Sequence, residues 1–189
     1  MVGDGLEEEA RGHYTRLLGG RLEQLVEREF AGHYRVYYDH KTVDPDRIIT
    51  QMAGGRQADN LSYVDLAIVR TIDNEERLCL ISEIEEHKHT PKRLLGDIAA
   101  IVMADSVLVG GREHPLTNLI VVLGFITRKN GQTGPRAERY LAKFESAMGE
   151  GIGGRRGIKC IVISTDDGVV LVKEVEERIE SYLLEGLNP

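Results

Sequence analysis

No run of about 18 or more uninterrupted apolar residues occurs in the chain, so no membrane-crossing helix is expected. The first residues, MVGDGLEEEARGHY, lack the charged-then-apolar layout of a secretory leader, and the expected location is the cytoplasm. Cysteine is scarce. Cys79 and Cys160 each lie inside an apolar run rather than in a Cys-x-x-Cys pair, which argues against a disulfide scaffold or a zinc knuckle and reads as two core thiols. Tryptophan is absent and Gln is rare beside abundant Glu and Arg, a composition that thermophile proteins share. Excess positive charge is missing too. A net charge of −7 argues against a protein that coats nucleic acid nonspecifically, whereas carboxylates gathered around a metal give the same sum.

What is present is 189 residues, 41% of them hydrophobic, enough for one sizeable core; the expectation is a single domain over residues 1–189. Residues 7–30 read as a helix, interrupted or restarted at Gly19-Gly20, with Leu18, Leu22, Leu25, Val26 and Phe30 on one face. YRVYY, residues 34–38, reads as a first strand. A loop through Asp44, Pro45, Asp46 and Gly54-Gly55 leads to a strand over residues 63–71, apolar except for Asp65. The turn signal Asp-Asn in TIDNEER joins it, as a hairpin, to a strand over residues 78–85. Thr90-Pro91 opens a helix buried through Leu94, Ile98, Ile101 and Val102. Residues 119–125 and 158–164 are almost continuously apolar, as expected of strands covered on both faces, and residues 135–148 between them read as a helix. At the C-terminus a strand VVLV competes with a helix through Val172, Val175, Ile179 and Leu183, and the helix is favoured. The expected fold is α/β, in the order α-β-β-β-α-β-α-β-α, with one central mixed sheet and helices on both faces.

A hairpin turn centred on Asn74 places Asp65 opposite Glu83 on one face; a register shifted by one places Asp65 between Glu83 and Glu85. Two like charges so close, among Val, Leu and Ile, need compensation. A divalent cation supplies it, and magnesium or manganese suits hard oxygen ligands with no His or Cys beside them. The other readings are that one acid is protonated, or that both pair with Arg56 or Arg93. Glu23 flanks the apolar face of the first helix, from where its carboxylate would reach over the sheet edge.

With these residues the chain resembles the PD-(D/E)XK nuclease superfamily, the restriction-endonuclease-like fold, over roughly residues 17–126. GGRLEQLVEREF supplies the helix with Glu23, SYVDLAIV supplies Asp65 and ISEIEEHK supplies Glu83. The family's lysine falls at Glu85, giving Glu-Ile-Glu where Glu-x-Lys is usual. The resemblance implies magnesium- or manganese-dependent hydrolysis of DNA phosphodiesters, with Asp65, Glu83 and the Ile84 carbonyl as ligands, joined by Glu23. It leaves Glu85, Lys88 or Lys92 to take the lysine's place as the group that activates or orients the attacking water. Arg56 and Arg93 are the candidate contacts to the nucleic-acid backbone. A homodimer is expected by the same resemblance, the apolar face of the C-terminal segment being either its contact or a cover for the sheet. The alternative is a nuclease-fold protein that is catalytically inactive because of Glu85 and binds nucleic acid or a protein partner.

Other signals lead nowhere specific. The loop GEGIGGRRG, residues 149–157, precedes a strand and so fails as a phosphate-binding P-loop. His87 and His89 have no zinc spacing, and no serine sits at a strand-to-helix nucleophile turn.

Overall fold

A computed structural model describes residues 12–30, 32–41, 46–53, 60–85, 96, 99–126, 146 and 157–185. The elements are α1 (His13–Glu29), β1 (Tyr34–Tyr38), β2 (Ile49–Gln51), β3 (Asn60–Tyr63), β4 (Leu66–Ile72), β5 (Glu75–Glu85), β6 (Ser106–Val109), β7 (Arg112–Pro115), β8 (Ile120–Ile126), β9 (Lys159–Thr165) and α2 (Gly168–Leu184). Residues 99–103 are also helical.

The central sheet is mixed, in the order β1-β4-β5-β8-β9. β1, β4 and β5 form an antiparallel meander, and β8 and β9 continue it in parallel. Counting only this sheet and the helical residues at 99–103 and 146, the element order is the expected one.

Helical residues pack on both faces of the central sheet, as expected, but on one of them a second sheet does most of the covering. α1 and α2 pack against Val36, Tyr38, Leu66, Ile68, Leu80, Ile84, Ile120, Val122 and Ile163. The opposite face, with Ala67, Val69, Leu78, Ile81, Val121 and Leu123, meets a second, four-stranded antiparallel sheet in the order β3-β2-β6-β7, together with Ile101 and Ala104. Sequence reading took the segment holding β2 as loop and assigned no strands to residues 105–118. These strands are only three or four residues long, two periods of alternation at most, too few to stand out in a sequence.

A second correction concerns the strand expected over residues 63–71. It is broken at Val64 and Asp65: β3 belongs to the small sheet and β4 to the central one. Val64 is buried between the sheets and its N–H donates to the Ile48 carbonyl at 2.9 Å, which draws the backbone away from the central sheet.

α1 runs through Gly19-Gly20 without interruption. A Cβ on Gly19 would overlap the Tyr38 ring, so glycine here permits the close approach of α1 to β1. The C-terminal segment is helical. The Asp167 carboxylate caps α2 by accepting from Val169 N at 2.9 Å and Val170 N at 3.0 Å. Its apolar side, Leu171, Val172, Val175, Ile179 and Leu183, lies on the central sheet, so that face covers the sheet and is not a dimer contact. The expected helix over 135–148 lies outside the described residues except for Ser146, which is helical.

Candidate functional site

The β4–β5 hairpin closes through Asp73 and Asn74, with φ of 51° and 66°, the two left-handed residues of a tight hairpin turn. From that turn the register alone would carry Asp65 opposite Ser82. Cys79 intervenes as a bulge: Val69 pairs with Leu78, but Ile68 pairs with Leu80 and Leu66 with Ser82. The extra residue brings the next position of β5, Glu83, opposite Asp65 on the inter-sheet face.

Asp65 sits where β4 stops. The Ile84 N–H is aimed at β4, but the chain has turned away at Val64, and Asp65 Oδ2 accepts that N–H instead at 2.7 Å. Across the other edge, the Asp65 carbonyl accepts from Asp39 N at 2.9 Å. The Asp65 carboxyl lies against that of Glu83, and two carboxyl groups so close favour the retention of a proton on the pair. Burial pushes the Asp65 carboxyl up to about 6; the Ile84 amide, the Glu83 hydrogen bond and nearby His40 pull it down, and the charge of Glu85 pushes it up.

The donor set is two carboxyls and the Ile84 carbonyl, which the strand geometry directs to the same edge as the Ile84 amide. Hard oxygens of this number suit magnesium, which commonly takes one or two carboxylates and keeps several waters. A cation between the two carboxylates would relieve their repulsion and offset the cost of desolvating them. No group of three or more His, Cys, Asp or Glu side chains converges as a metal cage among the described residues.

Glu85, on the same face of β5 as Glu83, completes the acidic row along that strand. Glu23 is placed differently from the expectation. It accepts from the Tyr38 hydroxyl at 3.0 Å and pairs with Lys41 Nζ at 2.9 Å, and Lys41 also reaches Asp46 at 2.9 Å. Tyr38 is opposite Leu66 on the helix side of the sheet, so Glu23 lies at the same end as Asp65 but on the other face. Arg56, Lys88, Lys92 and Arg93 lie outside the described residues.

Three residues that the sequence reading passed over adjoin the site. Asp39 continues the β1 pairing opposite Asp65, which sets Asp39, Asp65 and Glu83 in a row across three strands. Asp39 Oδ1 accepts from His40 N at 2.7 Å, and Oδ2 is 3.8 Å from His40 Nε2. His40 takes a left-handed conformation, φ 61°, and its ring occupies the space that a Cβ on Gly12 would need. Lys41 is the third. The signal was the charged triplet Asp-His-Lys directly after the strand YRVYY.

No protein-family model, no curated protein and no solved structure matches this chain. No helix among the described residues is long and apolar enough to cross a membrane.

Proposed function

We propose that the protein is a magnesium- or manganese-dependent nuclease that hydrolyses DNA phosphodiesters, with Asp65 and Glu83 as its metal ligands. The observation that carries this reading is the half-buried, facing pair of Asp65 and Glu83 carboxyls at the end of two central strands, beside the Ile84 amide and carbonyl. The order of elements around it supports the resemblance to the restriction-endonuclease-like fold: α1 with Glu23, then β1, then Asp65 at the start of β4 and Glu83 near the end of β5.

Asp65 and Glu83 would hold the ion, with the Ile84 carbonyl as a third oxygen. When bound, a divalent ion lowers the pKa of water and offsets the charge that builds on a phosphate under attack. Glu85 stands where the family's lysine is expected and is the candidate acceptor of the water's proton. Asp65 keeps its position through the Ile84 N–H, so the ligand is held by the backbone ladder and not by a flexible contact.

A second reading is favoured by Glu85 itself: a scaffold that keeps the acids but lacks the lysine, and binds nucleic acid or a protein partner without cutting. Incubation with single-stranded, duplex and branched DNA, with magnesium, manganese or chelator, separates the two. Metal-dependent cleavage abolished by Asp65→Ala and by Glu83→Ala is the expected result. Absence of cleavage by the wild type with either metal would favour the scaffold.

A further inference from the structure

Every described tyrosine but one is engaged. Tyr14 stacks edge-on with His13 and fills the space beside Gly168; Tyr34 meets Phe30 and Arg70; Tyr37 accepts from Arg35; Tyr38 holds Glu23 under Lys41; Tyr182 lies beneath Lys159. Tyr63 is the exception. It is 60% exposed, the only aromatic residue among the exposed large hydrophobics, and its side chain enters no hydrogen bond, ring stack or cation contact among the described residues.

Its position is fixed. Tyr63 ends β3, the edge strand of the small sheet, where it pairs with Ile49. The next residue, Val64, is buried and bonded to Ile48, and the one after is Asp65. Two residues of extended chain span at most about 7 Å, so the Tyr63 backbone is held within one nucleotide's reach of the Asp65–Glu83 pair. An exposed ring so placed is a platform, and the flat apolar surface of an unpaired base is what such a platform binds. In a duplex both faces of each base are covered by its neighbours, whereas an unpaired base offers a face to stack.

We propose that Tyr63 stacks on an unpaired base next to the phosphate at the Asp65–Glu83 site, which makes single-stranded nucleic acid, or the unpaired part of a branched one, the preferred substrate. The assignment rests on the nuclease reading above and names its substrate class.

The test compares the full-length wild type with Tyr63→Ala and Tyr63→Phe, using fluorescein-labelled oligothymidylate and a blunt duplex of equal length. Binding is measured by anisotropy in chelator, and cleavage with magnesium or manganese. The wild type is expected to prefer the single strand. Tyr63→Ala should lower the single-strand-to-duplex affinity ratio by about 5- to 150-fold, the range for loss of one stacked base, and Tyr63→Phe, which keeps the ring, should retain it. Metal-dependent cleavage with an unchanged ratio in Tyr63→Ala overturns the stacking role and leaves the nuclease reading standing. A wild type that neither binds nor cuts either DNA overturns both. Circular dichroism of Tyr63→Ala guards against misfolding; since the ring is exposed, an unchanged spectrum is expected.

Discussion

Asp65 Oδ2 and Ile84 N, 2.7 Å apart, form a rung of the β4–β5 ladder in which a side chain has replaced a backbone carbonyl. The last backbone pair is Leu66 with Ser82, and the next would have joined Val64 to Ile84 had Val64 not turned to Ile48. The carboxyl therefore has a structural duty as well as the chemical one proposed for it, and substitutions can separate the two.

Asp65→Asn keeps an oxygen for the Ile84 amide and an N–H for Glu83, whereas Asp65→Ala keeps neither. In chelator at pH 7.5, urea denaturation should find Asp65→Asn at least as stable as the wild type and Asp65→Ala less stable than Asp65→Asn by about 1–3 kcal/mol, the cost of an enclosed polar group left unsatisfied. Equal stability of the two variants would mean that the rung contributes nothing.

The raised carboxyl of Asp65 has a defined sign. The folded protein holds this proton more tightly than the unfolded chain, so the stabilisation is complete below the ordinary aspartate value of 3.8 and is lost as pH rises through about 6. In chelator the melting temperature should fall between pH 5 and pH 7.5, by the equivalent of about 1.4 kcal/mol, and Asp65→Asn should flatten that slope. On the metal-centre reading, saturating magnesium at pH 7.5 restores the lost stability; a melting temperature that ignores magnesium at every pH would count against it.

Gly19 and Gly20 are neighbours in one helix with opposite surroundings. A Cβ at Gly20 meets nothing within 4 Å, and one at Gly19 overlaps the Tyr38 ring. Gly20→Ala should gain about 1 kcal/mol from helix propensity. Gly19→Ala should lose about 1–3 kcal/mol by overpacking, despite the same propensity gain. Parallel thermal melts check the contrast, and a stabilised Gly19→Ala would show that α1 can shift off β1 at no cost.

Ser82 lies on the helix side of β5, fully buried, and its hydroxyl has no hydrogen-bond partner among the described residues. Ser82→Ala should be neutral or stabilising by up to about 1 kcal/mol in chemical denaturation, since it removes a desolvated hydroxyl without creating a large void. A loss above that magnitude would reveal a partner, such as an enclosed water.

Much of the central sheet was legible because its strands are long and apolar: YRVYY and the runs that became β8 and β9 each declare themselves within five to seven residues. The juxtaposition of Asp65 and Glu83 was legible as well, though through two features that were not. The turn is two residues, Asp73 and Asn74, and would alone have misplaced the acids by one; the bulge at Cys79 restores the pairing. Nothing in the local sequence marks Cys79 as a bulge, because bulges depend on the partner strand. The small sheet was hidden for a similar reason. β2 buries Thr50 and Gln51, polar residues that become acceptable inside only through Ser62 and Asn60 of β3. Gly110 and Gly111, both left-handed, were the readable trace of the β6–β7 hairpin. The position of Glu23 was not legible at all, since it follows from how α1 lies on Tyr38 and Lys41.

The break at Val64 makes the two sheets rivals for the same stretch of backbone. While β2 holds Val64, β4 ends early and the Asp65 carboxyl must serve the Ile84 amide; if the short β2–β3 pair let go, β4 would be free to zip one rung further and the carboxyl would be expelled from its place. The acids are then only as durable as the seven residues of β2 and β3, not as durable as the core beneath them. Local melting of the small sheet would dismantle the site in a molecule that is otherwise still folded.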